Sequence, residues 1–443
     1  MKVLIVGGGL AGCEAAWQLA RLGIRVVLAD QKPKHFSPAH KSKFLAELVC
    51  SNSFRSEELT TGVGLLKAEM RALNSLILEA ADKYKVPAGK ALAVDRELFA
   101  SYVTDKLSNS PRVERICYDL QSLADPFLDK FEAVILAVGP LPSSPLATEL
   151  VELTGGKLYF YDAIAPIVSA DSIDYNKVFW GSRYRPEEQD YLNIPLTEQE
   201  YFQFVQALKQ AKRVKAKEFE QEKHFEGCLP IEEMVQRGDL TLAFGPLKPV
   251  GLIDPRTGKQ PFAVVQLRAE NQDKTAFNLV GFQTKLTYSE QKRIFRMLPG
   301  LEKAEFLRLG SVHRNTFINA PKLLTPYLSL NSNPSLYFAG QITGVEGYVE
   351  SAACGLLVGL ILGTRLLFSK DLPLPPPTTA MGALLAHLQK TTDNFQPSNI
   401  HFGLFPGLKR KMRKKERKLA YAKRAEQDFK LWLQSLNFTH LKT

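Results

Sequence analysis

An α/β protein built on a Rossmann-like nucleotide-binding domain is predicted by three features of the sequence. A strand-linked glycine motif opens the 443-residue chain at residues 1–12. A second strand-linked glycine motif lies at 336–347. The stretch between them mixes helical and strand patterns and behaves as an inserted α+β domain, and a basic helical segment follows the second motif.

The first motif reads MKVLIVGGGLAG. Val3 to Val6 form a short apolar run, expected as a buried strand, and an apolar helix is expected from Cys13 to Leu22. Between them stands Gly7-x-Gly9-x-x-Gly12. Gly7 allows the tight turn, Gly9 lets the backbone approach a pyrophosphate, and Gly12 lets the helix pack on the strand. Gly8, Leu10 and Ala11 complete the candidate cofactor turn. The helix N-terminus offers the anion free N–H groups and a positive dipole end. A second strand, Arg25 to Ala29, ends in Asp30, whose carboxylate is suited to a ribose hydroxyl.

The second motif, LYFAGQITGVEG, repeats strand and glycine turn through Gly340, Gly344 and Gly347, and a long helix is expected from about 347 to 368. A late helix pointing its N-terminus at the cofactor is how many two-dinucleotide flavoproteins close their site. FAD is therefore favoured over bound NAD, and the first domain is read as an FAD-binding domain. A third segment, AVILAVGP at 133–140, is a buried strand ending at Gly139 and resembles the cofactor-touching strand of the same proteins.

Composition sets the bounds. Two or three domains with a large core are expected at this length. Apolar content of 45% and charge of 23% are those of a soluble globular protein. Lys2 is followed by too few apolar residues for a signal peptide. The longest apolar stretch, 352–362, is too short for a membrane span. A cytoplasmic location without membrane attachment is expected, and no obligate protein partner is evident. The five cysteines are scattered without a CxxC, against a disulfide framework and against zinc.

Net charge is +11, and residues 409–424 hold ten Lys or Arg against one Glu, which is +9. Leu408, Met412, Leu419, Ala422, Phe429, Leu433 and Leu436 recur behind that run at helical spacing. An amphipathic helix with a basic outer face follows, with Lys409, Arg410, Lys411, Arg413, Lys414 and Lys415 as candidate RNA contacts. A solvated helix face is the plain alternative, and such helices also bind membranes or acidic partners.

The FAD-binding domain is assigned residues 1–144 and 331–372, the insertion domain 145–330, and the Pro-rich linker with its basic helical segment 373–443. Within the insertion a helix is expected over 197–215 and strands over 240–244, 262–267 and 277–282. Residues 370–379, with four prolines, read as a stiff linker.

Two cysteines sit in polar, turn-like settings. Cys50 lies in ELVCSNS, and Cys228 lies in HFEGCLP beside His224 and Glu226. A loop cysteine near titratable groups is a better nucleophile than one in a helix, although most lone cysteines are small buried hydrophobes. Cys13, Cys117 and Cys354 sit in helix or strand patterns and are expected in the core.

The segments ELVCSNSFRSEE, VGLLKAEMRAL, FEGCLPIEEM, FGPLKPVGLIDPRTGKQPFAVVQLRAEN, HRNTFINAP and AGQITGVEGYVESAACGLLVG together resemble the folate- and FAD-dependent tRNA uracil-5-methyltransferases. These are related to the larger glucose-inhibited-division-type flavoproteins, which share the late AGQ pattern. The resemblance spans residue 1 to about 365. It departs at Gly8, where the family more often has alanine, a difference expected to be harmless.

The resemblance implies C5 methylation of a uridine in the tRNA T-loop. Uracil C5 is nucleophilic only after something adds at C6, and a cysteine thiolate does so. In this family 5,10-methylenetetrahydrofolate supplies carbon, reduced FAD supplies the hydride, and NADPH or NADH recharges the flavin. Cys50 and Cys228 are then the two family cysteines, with Cys228 favoured as the C6 nucleophile, Cys50 as an acid–base or flavin-side partner, and the exchange of these roles open. The basic run would hold tRNA phosphates. Ribosomal RNA as the target, a flavin-bearing RNA-binding protein without methyl transfer, and a small-molecule NAD(P)H oxidoreductase are the competing readings.

Overall fold

A computed structural model gives the fold and describes residues 1–153, 159–185, 188–214, 229–392, 395–408 and 412–436. The N-terminal strand Lys2–Val6 is the centre of a six-stranded sheet. It pairs in parallel with Arg25–Asp30 on one side and Ala133–Leu136 on the other. Asn333–Phe338 extends the sheet beyond Ala133–Leu136, and Val113–Cys117 forms the far side. The three central strands, Lys2–Val6, Arg25–Asp30 and Ala133–Leu136, are nearly continuous apolar runs, as expected when helices cover both faces of a parallel sheet, whereas Val113–Cys117 at the edge is largely exposed. Cys117 departs from its expected core position: at the end of the strand Val113–Cys117 it is exposed, and its thiol faces the Gln31 carbonyl at 3.5 Å.

Two helices dominate one face. The first, Leu10–Arg21, starts on Gly9, and the late one, Tyr348–Phe368, starts on Gly347. They pack along a small-residue stripe. A Cβ at Gly355 would lie 2.1 Å from the Ala11 carbonyl oxygen, and one at Gly359 would lie 3.0 Å from that of Ala15. The late helix has 21 residues and is long and apolar enough, by length and composition, to cross a membrane, so stretch 352–362 alone is no measure of it. Its apolar faces, from Val349 to Leu362, are buried in the protein core.

A second six-stranded sheet is formed by residues 167–308 and is antiparallel, in the order Phe179–Gly181, Tyr191–Leu196, Ala263–Ala269, Ala276–Leu279, Ile167–Ser169, Phe306–Arg308. Its helix Glu198–Gln210 opens with a capping box, Thr197 with Glu200, and stops before the expected 215. The strand expected at 240–244 is instead the helical turn Thr241–Phe244. A five-residue apolar run between glycines has no period long enough to separate the two. Only Leu242 of this turn is fully buried, and Phe244 points into solvent.

The proline run is not a free tether. Leu372 is buried, and the Trp432 indole N–H donates to the Pro373 carbonyl at 2.7 Å. The helix Ala380–Gln389 follows, its first N–H groups at Ala380 and Met381 donating to the Glu69 carboxylate at 2.7 and 2.8 Å. The C-terminal helix, Lys414–Ser435, buries Ala422, Ala425, Phe429 and Trp432 in the core of the nucleotide-binding half. Of the stripe expected from spacing, Ala422, Phe429 and Leu436 are buried, joined by Ala425 and Trp432, whereas Leu419 in the first turns and Met412 before the helix are exposed.

Candidate active site

A cleft opens to solvent at the C-terminal ends of the central parallel strands, where such sheets bind nucleotides. Gly7, Gly8, Gly9, Leu10, Ala11, Asp30, Gly139 and Gly340 line it. Gly7 has φ +113°, and a Cβ there would lie 2.2 Å from the Ala137 carbonyl oxygen. Gly9 and Gly139 have nothing within 4 Å of an added Cβ. The protein itself therefore fills no space beside them, and a backbone-hugging ligand such as a pyrophosphate fits there, at the N-terminus of the first helix.

Asp30 reaches back to this turn. Its carboxylate accepts from the Gly8 N–H and from the Lys32 N–H, each at 2.7 Å. A Cβ at Gly8 would lie 2.3 Å from Asp30 Oδ2. An alanine at Gly8 would require the ends of the Asp30 and Leu45 side chains to shift, with no backbone atom within 3 Å in the way. The other motif glycines have packing duties. A Cβ at Gly12 would lie 1.9 Å from the Gly7 carbonyl oxygen, Gly344 is covered by the Phe395 ring, and Gly347 caps the late helix. None of these three lines the cleft.

Cys50 stands at the rim of this cleft. Its neighbour Val49 lines the cleft, and so does Tyr348, the first residue of the late helix. The Tyr348 hydroxyl accepts from the Cys50 N–H at 2.6 Å and from the Ser51 N–H at 3.2 Å. The Cys50 carbonyl accepts from Arg96 at 3.1 Å, and Arg96 also pairs with Glu270. Asn52, fully buried, donates to the carbonyls of Val94 and Ala269, and Arg268 donates to Asn52 Oδ1 at 2.8 Å and Ser51 Oγ at 2.9 Å. The Cys-Ser-Asn-Ser turn is therefore pinned between the late helix and the strand Ala263–Ala269.

The Cys50 thiol lies 3.8 Å from the Ala163 carbonyl. Burial pushes it up from the ordinary cysteine range, the Asp162 carboxylate pushes it further, and Arg96 and Arg308 pull against both. Burial likewise drives the Glu346 carboxyl well above the usual carboxylate range, helped by Asp162, while Gln341 donates to Glu346 at 2.6 Å. His40 and His313 are both pushed down, first by burial, and then by Lys32 and Arg308 respectively. The rim thus combines a thiol and a carboxyl whose protons are harder to lose, imidazoles whose protonation is disfavoured, and the guanidinia of Arg96 and Arg308. This set can donate and accept protons beside a planar ligand.

The thiol of Cys13 is buried against the Gly8 carbonyl at 3.3 Å, and Cys354 is buried beside Thr343 and pushed up to about 11 by burial. Cys228 lies outside the described residues, as do Lys409, Arg410 and Lys411. Arg413, Lys414 and Lys415 are exposed at the start of the C-terminal helix. Sequence reasoning passed over Tyr348, Arg96, Arg268 and Glu346. The late motif carried a visible signal for two of them, since Glu346 and Tyr348 flank Gly347. Arg96 and Arg268 had none. Among the described residues no group of three or more His, Cys, Asp and Glu side chains is placed to hold a metal ion.

The family model described as "Glucose inhibited division protein A" matches residues 2–368. The methylenetetrahydrofolate–tRNA-(uracil-5-)-methyltransferase TrmFO of Oleidesulfovibrio alaskensis is 58% identical over 429 residues, 97% of this chain and 96% of that protein. The protein of the same name from Geobacter sulfurreducens is 58% identical over 433 residues, 97% and 98% of the two chains. Among solved structures, GidA of Aquifex aeolicus superposes with a TM-score of 0.68 at 16% identity, covering 100% of this chain and 75% of that one.

Proposed function

The chain belongs to the glucose inhibited division protein A family, among its folate-dependent tRNA uracil-5-methyltransferases, and from that premise we propose that it methylates C5 of a uridine in the tRNA T-loop. 5,10-Methylenetetrahydrofolate is the one-carbon donor, and NADPH or NADH is the reductant. FAD, held by the turn Gly7–Gly12, Asp30 and Gly139, supplies hydride when bound. Residues 1–144 and 331–372 make the FAD-binding domain and 145–330 the insertion.

The observation that carries this reading is the Cys50 turn hung on Tyr348, a residue of the cleft wall. It supports a thiol working at the edge of the nucleotide cleft. Cys228 adds as thiolate to uracil C6, so that C5 gains the electron pair that attacks the folate methylene carbon. Loss of the C5 proton then expels tetrahydrofolate and leaves an exocyclic methylene on C5, hydride would be delivered to that carbon to complete the methyl group, and the Cys228 thiolate leaves C6 to restore the C5–C6 double bond. Cys50, kept as a thiol by burial and Asp162, is the group that passes a proton in this sequence. Arg413, Lys414 and Lys415 hold RNA phosphates. These three cations stand at the N-terminal end of a 22-residue helix, where the macrodipole disfavours them unless an anion lies nearby.

Transfer RNA carrying 5-fluorouracil at the target position tests the scheme. The fluorine cannot leave as a proton does, so a covalent protein–RNA adduct should accumulate in wild type and in Cys50→Ala, and vanish in Cys228→Ala. An undiminished adduct in Cys228→Ala would move the attack to another residue.

A further inference from the structure

We propose that the loop 244–253, together with Tyr184, is a base-stacking platform that grips unpaired nucleotides of the RNA substrate. The proposal deepens the reading above and rests on it for the class of partner. Phe244 is 82% exposed and Tyr184 58%, and Val250 and Ile253 are exposed beside them in sequence. An apolar surface of this kind has a purpose more often than scattered single residues do.

The platform is built, not floppy. Phe244 ends the helical turn whose Leu242 is fully buried, and its N–H donates to the Leu240 carbonyl at 3.1 Å. Leu247, also fully buried, accepts from the Val264 N–H at 2.8 Å, which seats the loop on the strand Ala263–Ala269. Arg183 donates to the Pro246 carbonyl at 2.9 Å, and a Cβ at Gly251 would lie 2.8 Å from the Tyr184 nitrogen, so the two segments form one surface. Tyr184 itself is held at φ +67°, a backbone conformation that a bulky residue seldom takes and that fixes where its ring projects. The Lys248 ammonium lies 5.6 Å from the centre of that ring.

Charge decides the occupant. Residues 240–262 carry Lys248, Arg256 and Lys259 against Asp254 alone, a net +2. Both Asp254 oxygens are held by Arg256, at 3.0 and 2.7 Å. Exposed aromatic rings among cations, with their acid neutralised, fit a strand of bases joined by phosphates. The position fits as well. Pro246 packs against Gly281, where an added Cβ would lie 2.6 Å away, and Gln283, two residues further, accepts from the Ile231 N–H at 2.7 Å. The loop therefore neighbours the segment that leads directly from Cys228.

The test uses the full chain with its flavin, unmodified tRNA transcript, and affinity measured over a range of salt. Phe244→Ala and Tyr184→Ala should each weaken binding about tenfold, within the usual range for loss of one stacked base, without changing the salt slope. Phe244→Trp should restore affinity. Lys248→Gln should instead lower the slope of log K against log salt by about 0.7, one phosphate contact on a single strand. Flavin content and melting midpoint should match wild type in all four. If the two alanine variants bind tRNA as wild type does, the platform is refuted and the surface serves another macromolecule, such as a protein partner. If they weaken binding only along with a fallen melting midpoint, or if Trp fails to rescue, stacking is refuted. Wild type that binds no tRNA would overturn the proposed function as well.

Discussion

Cys50 is held by its neighbours in the protonated state, and that has a measurable consequence. Burial and Asp162 raise its thiol against Arg96 and Arg308. The sign is that of an acid whose proton is harder to lose, so its thiolate fraction stays small through neutral pH and grows only above the ordinary thiol range. Iodoacetamide near neutral pH should label the exposed Cys117 well before Cys50, as read by peptide mass spectrometry. Early labelling of Cys50 would show a thiolate there. Tyr348 is the second residue to examine. Its hydroxyl satisfies two turn amides, and Tyr348→Phe leaves them unpaired at about 1–3 kcal/mol. Methylation should fall by about tenfold or more while flavin stays bound, whereas unchanged turnover would show that the turn holds itself. Cys50 was legible because polar, turn-prone residues follow it at once. Its partners Arg96 and Arg268 were not, since hydrogen bonds across 46 and 217 residues leave no local trace.

The two helices that face each other across the cleft floor make the fold and the site one structure at the level of elements. Gly355 faces the Ala11 carbonyl so closely that any side chain must push the helices apart. Gly355→Leu should cost at least about 1–3 kcal/mol as overpacking and release the flavin, since the first helix carries the cofactor turn. A yellow Gly355→Leu protein with an unchanged melting midpoint would disprove this coupling. The strand–turn–helix at residues 2–21 was readable because each glycine has a fixed duty there. The turn at 241–244 was misread because so short an apolar run fits either period. The proline run reads as a stiff spacer from its composition, but its docking was not legible, because the contact between Trp432 and the Pro373 carbonyl arises only once the chain has folded back.

For the whole molecule, charge is uneven: of a net +11, the segment 409–424 holds +9. If Arg413, Lys414 and Lys415 contact phosphates, replacing all three by Gln should weaken tRNA binding and flatten its salt slope by about 0.7–0.9 for each lost contact. Affinity and slope equal to wild type would leave this face merely solvated. The fold class and the nucleotide cleft were legible from end to end because two glycine motifs bracket the chain. The docking of the C-terminal helix on the same core was legible in part: Ala422, Phe429 and Leu436 are buried as their spacing suggests, joined by Ala425 and Trp432, while Met412 and Leu419 are exposed. The most direct measurement follows carbon. Purified protein with its flavin, NADPH or NADH, unmodified tRNA and methylenetetrahydrofolate labelled with carbon-13 in its methylene group should yield ribothymidine. Nuclease digestion and mass spectrometry should find the label in the T-loop methyl group. Label absent from tRNA, or found in ribosomal RNA instead when both are offered, would contradict a folate-dependent tRNA uridine methyltransferase.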